Sequence, residues 1–287
     1  MRARRLASII CLFPLSTFAQ SSSSGVTGAP ETAQAASIIE QSFAALNGGS
    51  PVSDVTMKGT YTVTDAHGTQ SGMITMVATA SGQGQSTVSL PSGSYTEIRS
   101  VSASSASMIE TGPDGVPHAI STQTALSPNP AWFCPALLLA SVSSPNYSTS
   151  YIGQETLDGE AVHHLAVWWL PASSSSVSPT LARFWQQITR HDIYLDASSL
   201  LPVSMTFVLH PYDPKNPGQP LITYRGSNLD GTVQLWFSDY QQVQGRPVAL
   251  HIHGTLKIGV RAVTSDIQIS SALFNTGAIV NMPAVVN

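Results

Sequence analysis

Charge is scarce in this 287-residue chain: Lys, Arg, Asp and Glu together make up 10% of it, 12 basic residues against 16 acidic. With so few cations and an acidic balance, a polyanionic partner such as nucleic acid is excluded. Cysteine is nearly absent. Cys11 falls inside an N-terminal apolar stretch behind Ile10, where lipid-anchor processing needs a small residue, and Cys134 is the other. Once the N-terminal stretch is removed, no intramolecular disulfide is available and the core must hold the fold alone. No later apolar run reaches the ~20 residues of a membrane helix; the longest, 131–142, is interrupted by Pro135. A Gly-x-Ser-x-Gly elbow, a phosphate-binding Gly-rich loop, a nucleotide fingerprint and a repeat of fixed period are all missing.

The chain does carry an export signature. Arg2, Arg4 and Arg5 precede an apolar stretch over 6–18, and Ala19 stands before a Gln-Ser run, the pattern of a secretory signal cleaved after Ala19. Residues 20–32 read as a flexible leader with little apolar surface, and 33–287 as a single domain. Ala35, Ile39, Phe43 and Leu46 lie at helical spacing and Gly48-Gly49 end that helix. From Asp54 to Thr64 the pattern switches to alternation: Val55, Met57, Tyr61 and Val63 on one face, Thr and Lys on the other. Strands are then expected near 72–80, 85–90, 95–101, 150–154, 160–170, 192–196, 202–210, 221–226 and 231–240, with two more between Pro247 and Ile269. Their close spacing favours antiparallel pairing, because parallel strands need long crossovers. A short helix or apolar loop is expected over 131–142 and a further helical piece over 178–189. A slip of apolar parity near Val263 predicts a bulge there.

Candidate catalytic groups are few. His251 and His253 share a strand face, but two ligands do not make a metal site, and His163 and His164 point opposite ways. Cys134 reads as a small buried hydrophobe. Asp192 with Asp196, and Asp158 with Glu160, flank turns and are assigned turn roles, as is the stretch DPKNPG from Asp213 to Gly218. Large apolar residues are the better lead. Trp132, Phe133, Leu137, Leu138 and Trp185 fall in the helical pieces, where they would face a concave sheet.

Three phrases carry a family resemblance: FSDYQQVQGRPVALHIHG from Phe237 to Gly254, VRAVTSDIQISSALF from Val260 to Phe274, and DIYLDASSLLPVSMTF from Asp192 to Phe207. Their succession resembles the closing strands of the LolA/LolB-like periplasmic lipoprotein carriers. In LPSGSYTEIRS, Pro91 and Arg99 match the carriers' Pro and Arg-Trp strand, without the Trp. The resemblance implies a mainly β fold: a curved antiparallel sheet forming an unclosed half-barrel, short helices over its concave face, and a greasy cavity for acyl chains. It also makes 105–130 and 171–190 look like insertions. The expected function is that of an exported, periplasmic, monomeric, non-catalytic carrier for a lipid, lipoprotein acyl chain or other amphiphile, without cofactor or metal. Trp132, Phe133, Leu137, Leu138, Trp185 and Arg99 are the expected contacts. A structural or partner-binding envelope domain with a self-filled cavity is the alternative, and a metal-dependent hydrolase using His251 and His253 a second.

Overall fold

The computed structural model describes residues 29–48, 50–101, 106–120, 134–137, 147–169, 179–209, 231–259 and 261–281. A helix, α1 (Ala29–Asn47), opens the described chain. Its first residues, 29–32, fall in the segment expected to be a flexible leader. Six strands follow as hairpins: β1 (Asp54–Asp65), β2 (Gly68–Thr79), β3 (Gln83–Leu90), β4 (Gly93–Val101), β5 (Ala106–Thr111) and β6 (Pro117–Ile120). The second set comprises β7 (Tyr147–Leu157), β8 (Glu160–Trp169), a helix α2 (Pro179–Thr189), β9 (His191–Asp196), β10 (Pro202–Leu209), β11 (Gly231–Val243), β12 (Arg246–Ile258) and β13 (Arg261–Phe274). The expected strand near 221–226 lies outside the described residues.

All thirteen strands form one antiparallel sheet in the order β6-β5-β4-β3-β2-β1-β13-β12-β11-β10-β9-β8-β7. The first and last strands of the chain pair at its centre, from Val55–Phe274 to Thr64–Thr264, and β6 and β7 are its two edges. The sheet does not close into a barrel. At the seam, the Asp54 carboxylate accepts hydrogen bonds from the Ser53 hydroxyl (2.8 Å), the Thr276 N–H and hydroxyl (2.9 Å each) and the Gly277 N–H (3.1 Å). One buried side chain thus ties the segment after β13 to the start of β1.

Within the region expected as an insertion, residues 106–111 and 117–120 are β5 and β6 and extend the sheet. One expectation needs correction. The bulge is not at Val263, because β12 and β13 pair without interruption from His251–Gln268 to Ile258–Arg261. Ala262 is simply exposed near the end of the hairpin. The register shift lies between Lys58 and Gly59, opposite Ser271 and Ile269, and it keeps both Ala272 and Ile269 on the buried face.

The core lies on the concave face. Ala35, Ile38, Ile39 and Leu46 of α1 join one buried cluster with Leu165, Ile193, Leu195, Met205, Phe207 and Ile252. Burial of a large apolar side chain contributes roughly 1.5–3 kcal/mol, so this contact is what holds an α1 of otherwise modest amphipathicity. Ser42, fully buried, donates to the Leu200 carbonyl at 2.5 Å. Gly48 ends α1 at φ +55° with its Cα against the β11–β12 turn, where any Cβ would run into the Gly245 carbonyl. The helical turn at Pro135–Leu137 adds Leu137 and Ala136 to the same cluster. Among the described residues, no helix is long and apolar enough to cross a membrane.

Candidate ligand-binding site

The concave face divides into a filled part and an open part. Between β7 and β12, α1 occupies it, and the 135–137 turn joins the same buried cluster. Over β1–β5 two adjoining cavities open instead. The narrower, about 290 Å³, is walled by Tyr61, Ile74, Val88, Leu235, Leu256 and Ile267 among others. A wider one, about 770 Å³, is bounded by Tyr95, Glu97, Glu110, Asp114 and His118. Ser86, Val88 and Glu97 line both, so the two adjoin along these residues. Their volumes match those of small-molecule sites.

Strand register explains how the lining changes along the site. Met57, Met76, Ser86, Glu97, Glu110 and His118 follow one another directly across β1 to β6. One lateral row therefore runs from apolar to acidic. Arg99 lies on the same face of β4 as Glu97 and donates from Nε to Glu97 Oε1 at 2.5 Å, with its own side chain 4% exposed. Tyr61 bonds Ser265 inside the apolar end, and burial raises its pKa. Burial also raises that of Glu110, reinforced by the neighbouring Glu97 charge.

The structure distributes the expected contacts unevenly. Arg99 lines the narrower cavity. Leu137 is packed in the filled part, 1% exposed. Trp185 sits on α2 edge-to-face with Trp169, ring centres 5.0 Å apart. Trp132, Phe133 and Leu138 lie outside the described residues. Glu97 and Glu110 were not anticipated: the alternation in YTEIRS, charged on one face and Ile on the other, carries the signal of Glu97, whereas SMIET is too short to carry that of Glu110.

Polar groups also gather on the convex face. His164, Tyr194, Ser204, Trp236, His253, Asp266 and Thr62 form one row across seven strands. His164 is held by Glu155 (2.7 Å) and Asp192 (2.8 Å), and Arg190 grips the same Asp192. Asp192 therefore has a pairing role and no turn role. Asp196 does serve a turn, accepting the Ser198 and Ser199 N–H groups, and its pKa falls to about 2 through these bonds and those from the two hydroxyls. His251 and His253 converge on Asp266 Oδ1, at 3.2 and 2.9 Å. No group arranged to hold a metal ion occurs among the described residues. Cys134 is buried and its thiol pKa is pushed up to about 11 by that burial, which suits a packing residue.

The sequence matches no family model and no curated protein. Solved structures do match. A Vibrio parahaemolyticus domain assigned to outer membrane lipoprotein sorting aligns with TM-score 0.50 at 14% identity, over 86% of this chain and 95% of that one. A DUF1329 family protein from Desulfovibrio piger gives 0.51 at 10%, over 87% and 95%. A LolA superfamily protein from Nitrosomonas europaea gives 0.49 at 12%, over 87% and 94%. The fold is LolA-like. In this LolA-like frame the described cavities open on the concave face of the sheet, between β1–β5 and the facing β11–β13.

Proposed function

We propose that this protein is an exported, non-catalytic carrier that holds the aliphatic part of a lipid, a lipoprotein acyl chain or another amphiphile on its concave face. The observation that carries this reading is the open cavity lined by Tyr61, Ile74, Val88, Leu235, Leu256 and Ile267, beside a half of the same face that is already filled. A core filled throughout would leave no such space, since protein interiors pack without voids of this size. The LolA-like fold, shared with a domain assigned to lipoprotein sorting, supports it. In this reading residues 1–19 serve as a secretory signal, and the mature protein works in the periplasm as a monomer of one domain. Arg99 belongs to the cavity wall in this reading, and Leu137 and Trp185 to the packing that keeps the filled half rigid.

The test uses delipidated protein and the uncharged fluorophore N-phenyl-1-naphthylamine. Saturable binding is expected, and Leu256→Asp should weaken it severalfold while far-UV circular dichroism stays unchanged. Absence of saturable binding to the delipidated wild type would overturn the carrier reading and favour a domain that uses its sheet to hold a protein partner.

A further inference from the structure

The two ends of the open cavity differ in charge as well as in polarity. Glu97 and Glu110 are direct cross-strand partners on β4 and β5, and like charges in that relation destabilise a sheet. Both carboxylates line the wider cavity, with Asp114 at its rim. Arg99 bonds Glu97 and also acts on Glu110 through space, as does His118, the direct partner of Glu110 on β6, which leaves three carboxylates facing one guanidinium and one imidazole among the described residues. His118 lies 3.8 Å from Asp114, and both side chains are more than half exposed. A surplus of negative charge thus faces the space where the apolar lining ends. Violations of a local folding rule concentrate at functional sites, and a cation between the two carboxylates removes this one.

Resting on the carrier reading, we infer that the occupant of this cavity is an amphiphile with a cationic, hydrogen-bond-donating head, an alkylammonium or alkylguanidinium group. Its chain lies along Val88 toward Ile74, Leu256 and Ile267, and its head docks between Glu97 and Glu110. Carboxylates only accept hydrogen bonds when ionised, so N–H donors on the head satisfy them where a quaternary or anionic head does not. Tyr95, itself 41% exposed, lines the same cavity beside the head position, and an aromatic ring there attracts a cation. Ser86, between Met76 and Glu97 in the row, marks the boundary of chain and head.

The experiment is displacement of N-phenyl-1-naphthylamine from the wild-type protein by dodecylammonium, dodecanoate and dodecyl maltoside, each below its micellar concentration. Dodecylammonium should compete at least tenfold better than dodecanoate, with maltoside between, and salt should weaken the ammonium alone. Glu110→Gln leaves the Arg99–Glu97 pair intact and should cost dodecylammonium about tenfold, one charge-assisted contact, while maltoside is unchanged. Acidification through the raised pKa of Glu110 should weaken the ammonium in the same way. Equal competition by the three heads, or a preference for dodecanoate, overturns the cationic-head inference and leaves the carrier reading standing. Failure of the fluorophore to bind wild type at all overturns both.

Discussion

His191 and His164, on neighbouring strands but opposite faces, give the protein two titrations of opposite sign. His191 is 3% exposed against Phe207, and burial drags its pKa from 6.5 to about 3. The unfolded chain takes up that proton near 6.5 while the native state refuses it. The contribution of His191 is therefore complete above 6.5 and is lost on acidification toward 3, with a slope approaching about 1.4 kcal/mol per pH unit. For His164, burial opposes protonation, but the hydrogen bonds to Asp192 and Glu155 outweigh it and raise the pKa. Its contribution is complete below 6.5 and is lost as pH rises through the raised value. His191→Leu, close in volume, should flatten the acid side of a plot of urea midpoint against pH, and His164→Gln should flatten the alkaline side. An acid limb unchanged in the leucine variant would show that other groups set it.

At the scale of elements, α1 meets the sheet at a point fixed by a single glycine. Gly48 has both a left-handed φ and a backbone carbonyl where a Cβ would go, whereas Gly115 has φ +72° with open space around it. Gly48→Ala should cost about 1–3 kcal/mol from conformation and more from displacement of the β11–β12 turn. Gly115→Ala should show the conformational part alone, so thermal unfolding of the pair separates the two. Much of this level was legible in the sequence. Alternation in DVTMKGTYTVTD located β1 to within a residue, and the apolar spacing from Ala35 to Leu46 located α1. The short β5 and β6 were not legible, because SMIET and PHAI are too brief for alternation to stand out beside SSAS and GPDG. The acidic end of the site was hidden for a different reason. Glu97 and Glu110 become neighbours only through the register of β4 on β5, which no local sequence pattern encodes.

For the molecule as a whole, the question is whether a sheet of this width unfolds as one unit. Its two halves, β1–β6 and β7–β13, meet along a single strand pair, β1 with β13. That seam is long, is secured by Asp54, and contributes Met57 and Ile269 to the same cluster as Ile193 and Phe207. The central pairing was invisible in the sequence, since nothing local links residue 55 to residue 274, and up-and-down pairing alone would have left the first and last strands at the edges. The distribution of tryptophan makes cooperativity measurable: Trp132, Trp168, Trp169, Trp185 and Trp236 all follow β6. Their emission reports on the second half of the chain, and far-UV circular dichroism on both. Met76, fully buried on β2, has no tryptophan on its own half. If the halves are one unit, Met76→Ala should lower stability by about 2–5 kcal/mol and move both transitions together in urea. A tryptophan transition that stays in place, while dichroism acquires an earlier phase, would show the seam yielding first and the two halves unfolding in turn.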